Sequence, residues 1–477
     1  MKRTGLIVNI LISLLVPAFR AQVSEIVSGW QKDPLLKSAS FGVSVLNAKT
    51  SESLFEYNSK QSLVPASTLK LVTTAAAIHL LGTGYRFETK LFCVGSFDKT
   101  SGILQGDLLI LGGGDPTLQS ENFFKEGLSV TDTWAKALKD LGMKEITGKI
   151  IGDAGYFPRN IPNNWIWEDI CNYYGTAPCA LSYKDNKFTV FYESKEEGSS
   201  ASIRSFSPQY LSNTYNITSN VIAKGTGDEA YGYGDPFSFS REIKGTIPAN
   251  RNNYEVELTL PDPALLCAEE LYLSLKKIGI QIKDGSACSD YSGKNSNTAK
   301  RLLYTHYSPS LERIIYFTNQ KSNNLYCESI LRAIGKGKPD KGLNLVKKHW
   351  ANRGLDTTEL YMEDASGLSR INTTSARFES QMLSKVYRDS LVYHIINNSL
   401  PISGKQGSMS SIGKGTLIEN NLRAKTGYIT RVRAYSGYVK TKSGKDLAFS
   451  VILNNYNGSA REAKLRLEKF LIALGEL

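Results

Sequence analysis

The sequence predicts an α+β protein in which both ends of the chain supply strands to one sheet, split by a large, mostly β insertion. Three observations carry this. Strand-like alternation occurs at residues 41–57 and returns at 433–453. Two polar motifs, ending at Lys70 and beginning at Ser322, lie 322 − 70 = 252 positions apart, a surplus best assigned to an inserted body. Residues from about 90 to 300 are rich in Gly, Tyr, Asn and short alternating runs. With 477 residues, 41% hydrophobic and 21% charged, the chain is globular and long enough for two or three domains.

Taken in order, Lys2 and Arg3 precede an apolar stretch from Leu6 to Ala18, interrupted by Asn9 and Ser13. It is short for a bilayer span and suits an export signal, residues 1–21, with cleavage near Ala21–Gln22. Phe19 fits the small-residue rule poorly, so an uncleaved anchor is the alternative. No later segment is long and apolar enough to span a bilayer. Residues 22–90 and 300–477 are expected to form the principal domain and 91–299 the insertion, with a nested subdomain.

Residues 41–46 and 53–57 read as a strand pair joined by a polar turn. Val64-Pro65-Ala66 then leads into a helix expected over 67–78, with Gly82 as its stop. In the insertion, 187–192 and 254–260 alternate as strands, while 130–141 and 263–278 read as helices. Near the C-terminus, 422–429 is strand-like. Residues 433–439 and 447–453 flank Thr441-Lys442-Ser443-Gly444-Lys445, a hairpin signal. A last helix from about 460 to 474 places Leu465, Leu467, Phe470, Leu471 and Leu474 toward the core.

The chemistry concentrates in three motifs. In Ser67-Thr68-Leu69-Lys70 the serine and lysine are three apart and share a helix face, so the Lys70 amine can take the Ser67 proton. Ser322-Asn323-Asn324 is a tight turn that offers a hydroxyl for proton relay and an amide for a substrate backbone. Lys425-Thr426-Gly427 supplies a fixed positive charge and a hydroxyl for a carboxylate. Its glycine clears room for a close backbone. A helix beginning at Ser67 would also present free N–H groups to an oxyanion. Each motif alone is weak; the trio in this order belongs to serine β-lactamases and penicillin-binding proteins.

The chain resembles the low-molecular-mass class C penicillin-binding proteins, the D-alanyl-D-alanine carboxypeptidase/endopeptidase family. The resemblance rests on residues 63–70, on Gly106-Asp107-Leu108-Leu109-Ile110 through Gly114-Asp115-Pro116-Thr117-Leu118, and on Asp364-Ala365-Ser366-Gly367-Leu368-Ser369-Arg370, with Ala365 for the usual glycine. Leu400-Pro401-Ile402-Ser403-Gly404 and residues 423–427 follow in the family order. It implies a serine β-lactamase/transpeptidase-like domain, an antiparallel sheet with helices on both faces, and a second domain carrying a nested third.

It also implies a serine acyl-enzyme on Ser67, formed from peptidoglycan stem peptides, with Lys70, Ser322, Asn324 and Lys425 catalytic. Lys70 would be kept neutral by burial and by Lys425. Thr426, Gly427 and Tyr428 would bind substrate, and the Ser67 and Tyr428 N–H groups would form the oxyanion hole. Tyr428 replaces the usual Ser or Thr, so a carboxylate-binding hydroxyl is lost and endopeptidase cleavage stays open. β-Lactam antibiotics would be covalent inhibitors, and no cofactor is implied. Asp169, in Trp165-Ile166-Trp167-Glu168-Asp169-Ile170, would face the amino group of a diamino acid; the plainer reading of that segment is core plus turn.

Composition excludes several rivals. The net charge of +12 comes without a zinc-finger, basic-zipper or RNA-binding signature, so no nucleic-acid partner is expected. Peripheral attraction to an anionic wall or membrane is consistent with it. His79, His306, His349 and His394 are scattered and form no metal motif; His79 reads as a core or boundary residue. No phosphate-cradling Gly-Lys-Ser/Thr loop occurs. Export permits disulfides, and Cys171–Cys179 and Cys267–Cys288 are near enough to pair; buried free thiols are the alternative. A serine β-lactamase and a non-catalytic wall module are the functional alternatives. The absence of a recognisable deacylating carboxylate weighs against the first, and the intact motifs against the second.

Overall fold

A computed structural model describes residues 20–124, 127–209, 214–294 and 299–477. All of the expected export segment but its last two residues lies outside these. Residues 20–30 are helical, and Val23, Val27 and Trp30 are buried in a core. The chain divides into two compact units: residues up to 84 with 311–323 and 334–477, and residues 85–310 with 324–333.

The first unit is built on a five-stranded antiparallel sheet. Its order is Arg423–Ile429, Val432–Lys440, Asp446–Asn454, Ser40–Asn47, Ser53–Tyr57, so the chain's two ends pair directly, with Val45 opposite Phe449. The alternation of the central strands separates two helical layers. Phe41, Val43, Val45, Phe449, Val451 and Leu453 meet the 20–30 helix and the helix Ala460–Glu476 in one core. On the opposite face, a Cβ at Gly42 would lie 3.6 Å from Ala376, and Ser44 Oγ is 2.7 Å from Ser380 Oγ on the helix Ala376–Tyr387. Helices therefore cover both faces.

The terminal helix corrects one expectation. Ala463, Leu467, Phe470, Leu471 and Leu474 are buried, but Leu465 is 48% exposed. Two residues from Ala463 on a 100° helical step carry Leu465 to the far side, away from the i, i+4, i+7 stripe.

The second unit is mostly β. Strands Glu88–Asp98 and Ile103–Leu111 form the centre of a seven-stranded sheet, and Val130–Asp140 and Pro263–Lys277 supply its helices. Two three-stranded sheets accompany it: Lys187–Ser194 between Arg251–Thr259 and Ser202–Ser207, and Ser240–Ile247 between Glu229–Tyr233 and Asn216–Ala223. Lys187–Ser194 buries Phe188, Val190 and Tyr192 and turns the intervening residues outward, the period of two visible in its sequence.

The suggested disulfides do not form: all six cysteines are free. Cys171 Sγ donates to Gly234 O at 3.0 Å. Cys267 is buried on the helix Pro263–Lys277, while Cys288 stands partly exposed on the strand Ala287–Asp290. Nearness in sequence did not become nearness of sulfurs. Burial instead pushes the Cys179 thiol up to about 11, leaving it a packed hydrophobe rather than a nucleophile.

Candidate active site

The serine stands on a tighter turn than the sequence predicts. Residues Ala66–Leu69 form a 3₁₀ turn, and the α-helix runs Lys70–Leu81. Gly82 ends it with φ +85°, its N–H on Ile78 O, as the sequence leads one to expect. In a 3₁₀ turn residues i and i+3 eclipse, which sets Lys70 closer over Ser67 than an α-helix would. Lys70 Nζ lies 2.8 Å from Ser67 Oγ. The lysine is fully buried, and Nζ also donates to Ser366 O at 2.7 Å.

Ser366 O is held there by a carboxylate-centred turn. Asp364 accepts from the Gly367 N–H at 2.7 Å, the Ser369 N–H at 2.6 Å and Asn372 Nδ2 at 2.9 Å. Gly367 has φ +81°, and a Cβ there would fall 1.9 Å from Ala66 O. Only glycine lets this turn press against the residue before the serine.

The second serine–lysine pair is equally close. Ser322 has φ +57° after the helix Leu311–Gln320. Lys425, fully buried on Arg423–Ile429, donates from Nζ to Ser322 Oγ and to Thr426 O, both at 2.9 Å. Its strand also abuts the serine turn. A Cβ at Gly427 would lie 2.3 Å from Pro65 O and 3.3 Å from Ala66 Cβ. The room that sequence reading reserved for a substrate backbone is thus taken by the protein's own turn, which links the two pairs. Thr426 Oγ1 lies 2.8 Å from Ser408 Oγ, an exposed hydroxyl that no sequence motif singled out. Tyr428 is exposed, with Arg433 4.5 Å above its ring.

Asn324 and Asp169 belong to the second unit. Asn324 heads the helix Asn324–Ile334 and donates from Nδ2 to Tyr174 O at 2.7 Å. Asp169 is buried beside the Tyr174 hydroxyl, whose ionisation is pushed far up by burial and by that carboxylate. Within the same segment Trp165 is buried and Trp167 exposed. His79 is neither core nor site: it is exposed at the end of its helix, 2.9 Å from Asp389. Among the described residues, no group of three or more His, Cys, Asp or Glu is placed to hold a metal ion.

Sequence reading missed the supporting groups. Asp364, Ser366 and Gly367 were legible only as a stretch of family resemblance, and Ser408 carried no signal. Nor did Glu379, which is fully buried under the serine turn with its Oε1 2.8 Å from Thr68 Oγ1.

A serine hydroxyl against a buried amine, joined to a second serine–lysine pair on the adjoining strand, defines a serine acyl-transfer enzyme. The chain belongs to the D-Ala-D-Ala carboxypeptidase 3 (S13) family, which matches residues 21–472. It is a serine-type D-Ala-D-Ala carboxypeptidase, a hydrolase. It is 27% identical over 468 residues to a D-alanyl-D-alanine carboxypeptidase of Actinomadura sp. (strain R39), an alignment covering 92% of this chain and 82% of that protein. In fold it is similar to penicillin binding protein 4 (dacB) from Haemophilus influenzae, with TM-score 0.77, 23% identity, and 94% of this chain and 98% of that one covered. The same Haemophilus protein complexed with a β-lactam superposes with TM-score 0.74 at 21% identity, covering 94% and 99%.

Proposed function

We propose that Ser67 is the nucleophile in cleavage of the terminal D-alanine from peptidoglycan stem peptides. Its Oγ attacks the penultimate D-alanine carbonyl while the proton passes to Lys70 Nζ along the 2.8 Å contact, the observation that carries this reading. The donation of Lys70 to Ser366 O fixes where the amine sits, within reach of Ser67. The Ser67 and Tyr428 N–H groups hold the oxyanion. Ser322, hydrogen-bonded to Lys425, carries that proton onward from Lys70 to the leaving nitrogen, giving up its own and receiving the one from Lys70; the C–N bond breaks and an ester on Ser67 remains. Water then hydrolyses the ester, releasing the shortened peptide and restoring the serine.

Lys425 supplies positive charge for the substrate carboxylate, and Thr426 with Ser408 offers two adjacent hydroxyls to it. Gly427 lets that strand lie against the turn. Asn324 is assigned the substrate amide and Asp169 the amino group of a diamino acid, both on motif and resemblance alone. DD-endopeptidase cleavage of cross-links accompanies the carboxypeptidase reaction, because Tyr428 lacks the short hydroxyl that a Ser or Thr would offer the terminal carboxylate. β-Lactams acylate Ser67 through the same steps and deacylate slowly. The substrate places the enzyme outside the cytoplasm, exported by residues 1–21 and associated with the wall. Among the described residues no helix is long and apolar enough to cross a membrane.

Mass spectrometry of purified muropeptides after incubation tests this. Free D-alanine and broken cross-links are the expected products, and Ser67→Ala should lose both, together with labelling by fluorescent penicillin. Product formation by Ser67→Ala equal to that of the unmodified protein would overturn the assignment. Sustained rapid turnover of nitrocefin would instead indicate a β-lactamase.

A further inference from the structure

A buried carboxyl joins the serine turn to the sheet of the first unit. Glu379, on the helix Ala376–Tyr387, is 0% exposed. Its Oε1 meets Thr68 Oγ1 at 2.8 Å, the residue next to Ser67. Its Oε2 meets Ser436 Oγ, and Ser450 Oγ at 3.0 Å. Ser436 is the register partner of Lys425 and of Ser450 across the sheet. One side chain therefore ties the nucleophile turn to the strand paired with the Lys425 strand.

The protons in this network can be counted. Thr68 Oγ1 also lies 3.0 Å from Pro65 O, and Ser436 Oγ lies 2.9 Å from Ser450 Oγ. That makes five contacts among three hydroxyls, one carboxyl and one carbonyl. The carbonyl can only accept, so the single Thr68 proton belongs to Pro65 O when that contact is made. The contact from Thr68 to Glu379 then needs a proton on the carboxyl. An ionised Glu379 leaves two of the five contacts empty, a neutral one leaves one. Among the described residues no cation is hydrogen-bonded or ion-paired to it, and burial raises its affinity for a proton.

We propose that Glu379 is a positioning residue that, as a neutral acid, donates to Thr68 and holds the Ser67 turn in register with the Lys425 strand. This deepens the reading of Ser67 as nucleophile and rests on it. The hydroxyls on Oε2 orient the carboxyl, so its proton faces the turn. The residue touches no substrate; it sets where the Ser67 oxygen stands.

The test is acylation by a fluorescent penicillin, separating the non-covalent binding constant from the acylation rate constant, in folded protein checked by melting temperature. Glu379→Ala should slow acylation about ten- to a hundredfold, the scale of a sub-ångström to ångström misplacement, with binding nearly unchanged. Glu379→Gln, whose amide still donates to Thr68 and accepts from the serines, should stay within about threefold of the unmodified protein, on the same scale. Thr68→Val, close in volume and lacking only the hydroxyl, should match Glu379→Ala, and the double variant should be no slower than either. Acylation of Glu379→Ala within threefold of normal, a Gln variant as slow as the Ala one, or multiplying single effects would each overturn the proposal. Should Glu379→Ala fail to fold, the Gln and Thr68→Val variants decide it alone. Absence of a Ser67 adduct in the unmodified protein would instead sink the functional reading beneath it.

Discussion

Replacing Gly367 with alanine tests whether the turn before Lys70 sets the reactive geometry. At φ +81° an L-residue costs about 1–2 kcal/mol. The new Cβ would lie 1.9 Å from Ala66 O, 2.5 Å from Ala66 C and 3.2 Å from Ser67 N. Real Cβ atoms essentially never approach closer than 3.0 Å, so one side must yield by about 1.1 Å. The yielding atoms are backbone, not a flexible side-chain tip. If the serine turn moves, Ser67 leaves Lys70; if the 364–372 turn moves, Ser366 O leaves Lys70. Either displacement degrades the same proton transfer. A misplacement of this size costs about a hundredfold in rate. Acylation of Ser67 by penicillin, timed by stopped-flow fluorescence, should slow by that factor. The conformational strain alone should lower the melting temperature by about 2–8 °C. Acylation within threefold of normal with an unchanged melting curve would refute the reasoning, since it would mean that the two turns are not pressed together.

Two further outcomes follow from other parts of the chain. Asp169→Lys should reverse the preference between stem peptides with and without a side-chain amine, read as a ratio of kcat/KM values; an unchanged ratio removes Asp169 from substrate recognition. His306, packed edge-on against Trp134 at 5.7 Å, has its pKa lowered by burial to about 4. The unfolded chain takes up that proton near pH 6.5, above the folded protein, so stability falls as pH drops from about 6.5 toward 4. His306→Phe should lose less stability than the unmodified protein between pH 7 and 4.5 in urea titrations. Equal losses would show that the ring is not kept neutral.

The site was legible in the sequence wherever reactive side chains lie near one another along the chain or in a short motif. Ser67 and Lys70 are three residues apart, and only a helical turn is needed to join them. The pairing of the chain's ends was legible too, because residues 41–46 and 447–453 are short, largely apolar runs, the pattern of strands buried on both faces. Side chains whose role depends on distant neighbours left no such trace. Glu379 reads as one more acid on an amphipathic helix, yet it lies in the core among hydroxyls from three other segments. The cysteine spacings pointed the other way, because sequence proximity says nothing about which face of a helix a sulfur occupies.

The sequence by itself determined the kind of chemistry, the serine and lysine proposed as nucleophile and base, and a sheet assembled across a long insertion. These follow from local periodicity and from reactive groups at fixed short spacings. Tertiary structure decided that the serine turn is 3₁₀, that Gly427 makes room for Pro65, and that Asp364 and Glu379 are hydrogen-bonded next to the turns that carry Ser366 and Ser67. Those outcomes depend on contacts between segments tens to hundreds of residues apart, where a few tenths of an ångström separate a fit from a clash.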